Sequence, residues 1–220
     1  MITKHIRLVS LAVASLATTL LMGGCALKGY DKGNITAANI QATADRVAAL
    51  PGQLDQTMAS FNDLVTNSQS DLRPQYQQFA ANVDKVDSTS KEIAADRRTM
   101  GEKGKAYLAA WDQQLALIRN PDIKASSQGR RDQVNQQLLD IKKNYVLACD
   151  TFKPFLADLK DVKTSLSVDL TTAGLAAVKA PVAKANQDVV PLKASLNQLA
   201  GDFKALAESM SSVTQSAAPE

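Results

Sequence analysis

Between Leu72 and Ile118 fourteen positions follow one another at steps of three or four residues, from Leu72, Tyr76, Phe79, Val83 and Val86 to Tyr107, Trp111, Leu115 and Ile118. That spacing is the stripe of an amphipathic helix. Unbroken, it describes a single helix roughly 70 Å long at ~1.5 Å per residue. A compact domain of 220 residues has no room for such a helix, so the chain is expected to fold as a rod.

The rest of the chain carries matching stripes. Ile40, Val47, Leu50, Leu54, Met58, Phe61 and Val65 lie on one side of a helix expected to open near Thr36 and run to about Thr66. Pro51-Gly52 falls inside it, but Val47, Leu54 and Phe61 keep their phase across the pair, which reads as a kink rather than a loop. The second helix is expected to be capped at Ser70 or Asp71, with Pro74 in its first turn. Asn120-Pro121 closes that helix and opens a third, with Val134, Ile141, Tyr145, Ala148, Phe152, Phe155 and Leu159 on its seam and Pro154 bending it. Thr171-Thr172 caps a last helix, whose seam runs from Leu175 to Val213 through Pro181 and Pro191.

Short joints between long helices force antiparallel neighbours. The fold class is therefore all-α: an elongated antiparallel bundle with coiled-coil-like, spectrin-like packing and a left-handed supercoil. The first helix is expected to be the shortest. Low aromatic content, 5%, agrees with helices packed through Ala, Leu and Val. The second helix has a weak centre, since Ser90, Arg97 and Gly104 take successive seam positions seven apart. Packing is expected to loosen there, with Arg97 snorkelling or pairing with an Asp. A hinge or partner-contact zone is the functional alternative.

Residues 1–24 have Lys4 and Arg7, an apolar run from Leu8 to Met22, and Gly23-Gly24. This is the pattern of an export signal peptide, and it is too short to span a bilayer comfortably. Leu21-Met22-Gly23-Gly24-Cys25 resembles the bacterial lipobox, in which the cysteine is lipidated and becomes the new N-terminus, although Met22 stands where Leu is usual. Ordinary signal-peptidase cleavage after Ala26 is the competing reading. Lipidation of Cys25 also explains why Cys149 is single; without it a Cys25–Cys149 disulfide becomes open. Cys149 itself is expected to be a small buried hydrophobe rather than a reactive thiol. By resemblance to other bacterial lipoproteins, Ala26 after the cysteine directs the chain to the periplasmic face of the outer membrane. Residues 25–34 form an expected tether, 35–214 the bundle and 215–220 a disordered tail.

Without Lys4 and Arg7 the charge falls from +3 to +1, which offers little attraction for nucleic acid. The only histidine, His5, goes with the same segment. Imidazole-based acid–base chemistry, Ser-His or Cys-His nucleophiles and most zinc or di-iron sites are thereby disfavoured. Gly-x-Gly-x-x-Gly, Gly-x-x-x-x-Gly-Lys and Gly-x-Ser-x-Gly are missing from the sequence. Asp158 and Asp161 are read as a solvated face, and the basic pairs Arg97-Arg98, Arg130-Arg131 and Lys142-Lys143 lack the exposed aromatics of a nucleic-acid platform. Tyr107, Trp111, Tyr145, Phe152 and Phe155 are read as core.

Lys105-Ala106-Tyr107 through Trp111, then Phe152-Lys153-Pro154-Phe155-Leu156-Ala157-Asp158-Leu159 and on to Leu170-Thr171, resemble an uncharacterised family of exported bacterial helical proteins, a domain of unknown function. The likeness covers roughly Tyr30 to Met210 and implies no catalytic residues. The expectation is a non-enzymatic cell-envelope protein: a lipid-anchored rod that acts as a structural or protein-interaction element. Its partners would be the membrane, through the N-terminal lipid, and an unidentified envelope protein, with no nucleic acid, cofactor or metal. The alternative is a membrane-active helical protein, pore-forming or bilayer-remodelling, with Pro51, Pro154, Pro181 and Pro191 as hinges.

Overall fold

A computed structural model describes residues 29–212 as five helices: α1 (Gly29–Thr66), α2 (Arg73–Leu115), α3 (Pro121–Val168), α4 (Thr172–Ala177) and α5 (Lys179–Met210). No strand occurs among the described residues, and the fold is an all-α antiparallel bundle. The four long helices form a ring. α1 packs along both α2 and α5, α3 closes the ring against the same two, and α1–α3 and α2–α5 are the diagonals. At 48 residues α3 is roughly 70 Å long (~1.5 Å per residue), which gives the molecule its elongation.

None of the fourteen positions on the α2 seam is exposed; Phe79, Val83 and Val86 are fully buried. Near the α1–α2 turn the core holds the stacked pair Phe61–Phe79, with ring centroids 4.6 Å apart. α1 buries two faces rather than one. Beside its predicted stripe it buries Thr36, Thr43, Thr57, Ala37 and Ala44, which lets α2 and α5 both approach closely. Each of the three threonine hydroxyls donates to the carbonyl four residues back, on Lys32, Asn39 and Gln53 respectively, so its polar atom is satisfied within the helix. A residue that looks polar in sequence thus behaves as an apolar one in the core.

Ion pairs bridge each neighbouring pair of helices. Arg46 meets Asp96 and Glu92 between α1 and α2, and Lys193 meets Asp55 between α1 and α5. Arg131 and Asp112 join α2 to α3, and Lys184 and Asp158 join α3 to α5. Exposed pairs of this kind contribute about 0–1 kcal/mol each, so their effect is more on register than on stability. Asn62 and Asn186 do more for register: their half-buried amides exchange two hydrogen bonds, 3.0 and 2.8 Å, across α1 and α5.

Several local expectations are corrected. The tether expected over residues 25–34 is helical from Gly29, because Gly33 has no Cβ to strike the Tyr107 ring and Asn34 bonds Ser212. α1 is not the shortest long helix; α5 is, because the last segment breaks at Val178. Pro181 has no N–H for the Ala177 carbonyl, and the Val178 N–H turns instead to Leu175, three residues back. The hydrophobic phase survives the break, with Leu175, Val178 and Val182 all buried. α2 has Leu72 at its cap position with no side-chain bond, and Asp71 accepts from the Arg73 N–H and guanidinium, which hold its carboxyl down at about 2. α2 ends at Leu115, short of Ile118.

The expected caps at Asn120 and Thr171 are present. Asn120 Oδ1 accepts from the N–H groups of Asp122 and Ile123, and Thr171 Oγ1 accepts from Gly174. α1 runs unbroken through Pro51 and α3 through Pro154. Residues 1–28 and 213–220, including the expected signal peptide, Cys25, Val213 and the expected tail, lie outside the described residues.

Asn62→Ala should orphan the Asn186 amide and lower the urea midpoint, at the lower end of the ~1–3 kcal/mol that such a loss costs. The double change Asn62→Leu, Asn186→Leu should recover most of it. At the α3–α4 corner, a Cβ on Gly174 would stand 2.1 Å from the Asp169 carbonyl oxygen. Gly174→Ala should therefore destabilise by about 1–3 kcal/mol, as overpacked sites do, read from the same urea titration.

Candidate functional site

The weak centre of α2 faces a place where all four long helices leave a gap. Val47 and Leu50 of α1, Ser90 and Ile93 of α2, Tyr145, Ala148, Cys149 and Phe152 of α3, and Leu196 and Leu199 of α5 surround a cavity of about 40 Å³. That volume suits water rather than a metabolite. The lining is almost wholly apolar, and the Ser90 hydroxyl is already committed to the Asp87 carbonyl at 2.8 Å.

The three weak seam positions are resolved in three ways. Ser90 leaves the void just described. Arg97 does not pair with an Asp; its guanidinium lies 4.8 Å above the centre of the Tyr145 ring, where the quadrupole attracts a cation. Gly104 is buried, and its missing side chain is replaced by Leu138 reaching across from α3, so packing there is tight. Of the three positions, Ser90 is the one that lines the gap.

Tyr145 is half-buried, and burial, followed by the neighbouring Cys149 thiol one helical turn on, pushes its phenol up to about 12 against the pull of Arg97. Burial also raises Tyr107, against Arg130. Cys149 is a free thiol, half-buried on the cavity wall rather than fully enclosed as expected of a core hydrophobe. Tyr107, Trp111 and Tyr145 pack against the core, and Phe152 and Phe155 are buried in it, so all five aromatics take the packing role read for them. The Arg130-Arg131 pair is engaged within the chain. Arg130 donates to the Ser209 carbonyl at 2.6 Å, in the last turn of α5, and Arg131 grips Asp112 with two bonds of 2.9 Å.

The larger concave feature is on the outside. α3 and α5 leave a groove with two depressions, about 800 and 300 Å³, that share Lys184. Asp158 and Asp161 meet there with Asp150 and Asp188 over a floor of Phe155, Val162, Val178 and Leu192. Lys184 pairs with Asp158 at 2.9 Å and Asp188 at 2.8 Å, and among the described residues Asp150 and Asp161 make no ion pair. Pro154, Pro181 and Pro191 all line the same groove. Each removes a backbone donor, leaving helix carbonyls on this face without their usual partner. The sequence groups these prolines with Pro51 only as candidate hinges. Their convergence depends on the α3–α5 register, which no local pattern displays. No cluster of carboxylates, cysteine or histidine suited to a metal occurs among the described residues.

A family model described as a protein of unknown function (DUF2959) matches residues 24–213. The chain belongs to this family. The match spans the whole bundle, so the Tyr145 cavity and the α3–α5 groove both lie inside the DUF2959 region. No curated protein and no solved structure matches the chain.

The raised phenol makes alkaline pH a test of the cavity. In the unfolded chain Tyr145 ionises at its ordinary value of 10.0, and in the folded chain at about 12. Its contribution to stability is whole below the first value and lost as pH rises towards the second. Thermal melts of the native protein should thus fall more steeply across that interval than those of Tyr145→Phe, and tyrosinate absorbance should lose its latest-titrating component in the variant.

Proposed function

We propose that this DUF2959 protein is a non-enzymatic element of the cell envelope: an exported helical rod, anchored by lipid on Cys25 to the periplasmic face of the outer membrane, that works through its surface. The observation that carries this reading is the closed interior. The buried side chains of the four seams form one core along the length of the bundle, with a gap of only about 40 Å³ beside Ser90, and the α3–α5 groove offers depressions of about 800 and 300 Å³ at the surface. A rod of this kind has its surface and its reach to offer a partner. The α3–α5 groove, acidic at its walls and apolar at its floor, is the face we assign to contact with another envelope protein.

The lipobox-like Leu21–Cys25 supports the anchor. The several acyl chains of a bacterial lipoprotein hold stably where a single chain binds only marginally. Against the membrane-active alternative, no helix among the described residues is long and apolar enough to cross a membrane. The stripes that would have to enter lipid are already buried against one another.

Cys25→Ser should move the protein from the membrane fraction to the soluble periplasmic fraction; an unchanged distribution would remove the anchor from the reading. Dye release from liposomes by the purified protein would favour the pore-forming alternative, and intact liposomes the rod.

A further inference from the structure

The two ends of the rod differ. At the distal end the α1–α2 turn is polar, Asn67-Ser68-Gln69-Ser70-Asp71, and Val168 is the large hydrophobic residue exposed there. The other end holds the start of α1, the end of α5 and the α2–α3 corner, and exposes Leu117 (72%) and Ile123 (59%), with Ile35 (43%) nearby on α1. Leu117 and Ile123 flank the Asn120-Pro121 cap, and Arg119 and Lys124 stand exposed beside them with Asp122.

Chain geometry places this corner beyond the start of α1 among the described residues. Gly33 of α1 lies against Tyr107 and the Met210 carbonyl, which sets the level at which α1, α2 and α5 meet. From there α1 has four more residues to Gly29, while α2 runs eight further, to Leu115. At ~1.5 Å per residue the first distance is ~6 Å and the second ~12 Å, so the α2–α3 corner projects about 6 Å beyond the start of α1. The projection is braced: the Trp111 indole donates to Ser127 Oγ at 3.0 Å, and Arg131 clamps Asp112. Cys25 precedes Gly29 by four residues, a span of at most about 14 Å. A lipid on Cys25 therefore holds the projecting corner within reach of the bilayer surface.

We propose that residues 116–123 form a membrane-contact tip, in which Leu117 and Ile123 enter the headgroup region of the bilayer that carries the Cys25 lipid. This rests on the lipid-anchor reading and adds an orientation to it. Apolar side chains flanked by Arg and Lys suit an interface, where the hydrocarbon sinks and the charge stays with the headgroups. Two contacts, the acyl chains and the tip, hold the rod end-on, whereas a lone tether would leave it free to tilt. The polar distal turn and the α3–α5 groove are then presented away from the membrane.

The test uses the full chain, processed in cells and reconstituted in phosphatidylethanolamine–phosphatidylglycerol vesicles that contain spin-labelled lipids. Cys149→Ala clears the background thiol, and an environment-sensitive dye is placed at Leu117→Cys or, as control, at Val168→Cys; mass spectrometry reports acylation of Cys25. Quenching several-fold stronger at position 117 than at 168 is expected. Equal or negligible quenching at both, in protein whose mass includes the acyl chains, overturns the tip and leaves the anchor standing. A dye at 117 that is shielded without vesicles, in proportion to protein concentration, assigns the corner to a second copy and overturns it as well. A mass without acyl chains removes the anchor reading and the tip with it.

Discussion

The bundle depends on the close approach of α1 to two neighbours at once. A helix that packs on one partner needs one stripe, and α1 has a double one, widened by small residues and by threonines whose hydroxyls bond their own backbone. Because α1 is sandwiched between α2 and α5, the remaining helix must close the ring from the far side, and α3 does so less tightly. The looser joins on α3 are where the void and the groove occur, the void at its contact with the weak centre of α2 and the groove along α5. Both features thus follow from the same constraint.

The polar groups inside the rod are arranged so that few are left without a partner. Arg97 satisfies its charge over an aromatic face, the Asn62–Asn186 pair answers itself, and Arg130 takes up a carbonyl at the end of α5. Such interactions discriminate between registers more than they add stability, since an amide or guanidinium displaced by one turn would be stranded. Long stripes of Leu, Val and Ala are tolerant of sliding, and a rod built from them needs specific polar pairs to choose one alignment.

Much of the architecture was legible because a 3.6-residue period repeated over dozens of residues is a signal that tertiary context seldom overrides. The seam of α2 up to Leu115, the cap at Asn120 and the cap at Thr171 all stand where the pattern puts them. The errors cluster at helix ends and at residues whose behaviour depends on a neighbour. Gly29–Asn34 looked like a tether because two glycines weaken a helix in isolation, yet Gly33 is what allows α1 to lie on Tyr107. Pro181 looked harmless because the phase continued, but the missing N–H splits α4 from α5. Tyr145 packs as its place on the stripe implies, and nothing local to it announces that Arg97 uses its face.

By itself the sequence determined that the chain is helical, that its helices are long and antiparallel, and one inward stripe on each, though not the second face that α1 buries. Those properties are set by spacing along one strand of chain and by short joints, and both are local. Which helices are neighbours and which are diagonal, where the ring fails to close, and which carboxylates and prolines share one groove were decided by the tertiary structure alone. The reason is that stripes of similar pitch fit one another in several orders, and only the widths of their side chains, read four helices at a time, select one.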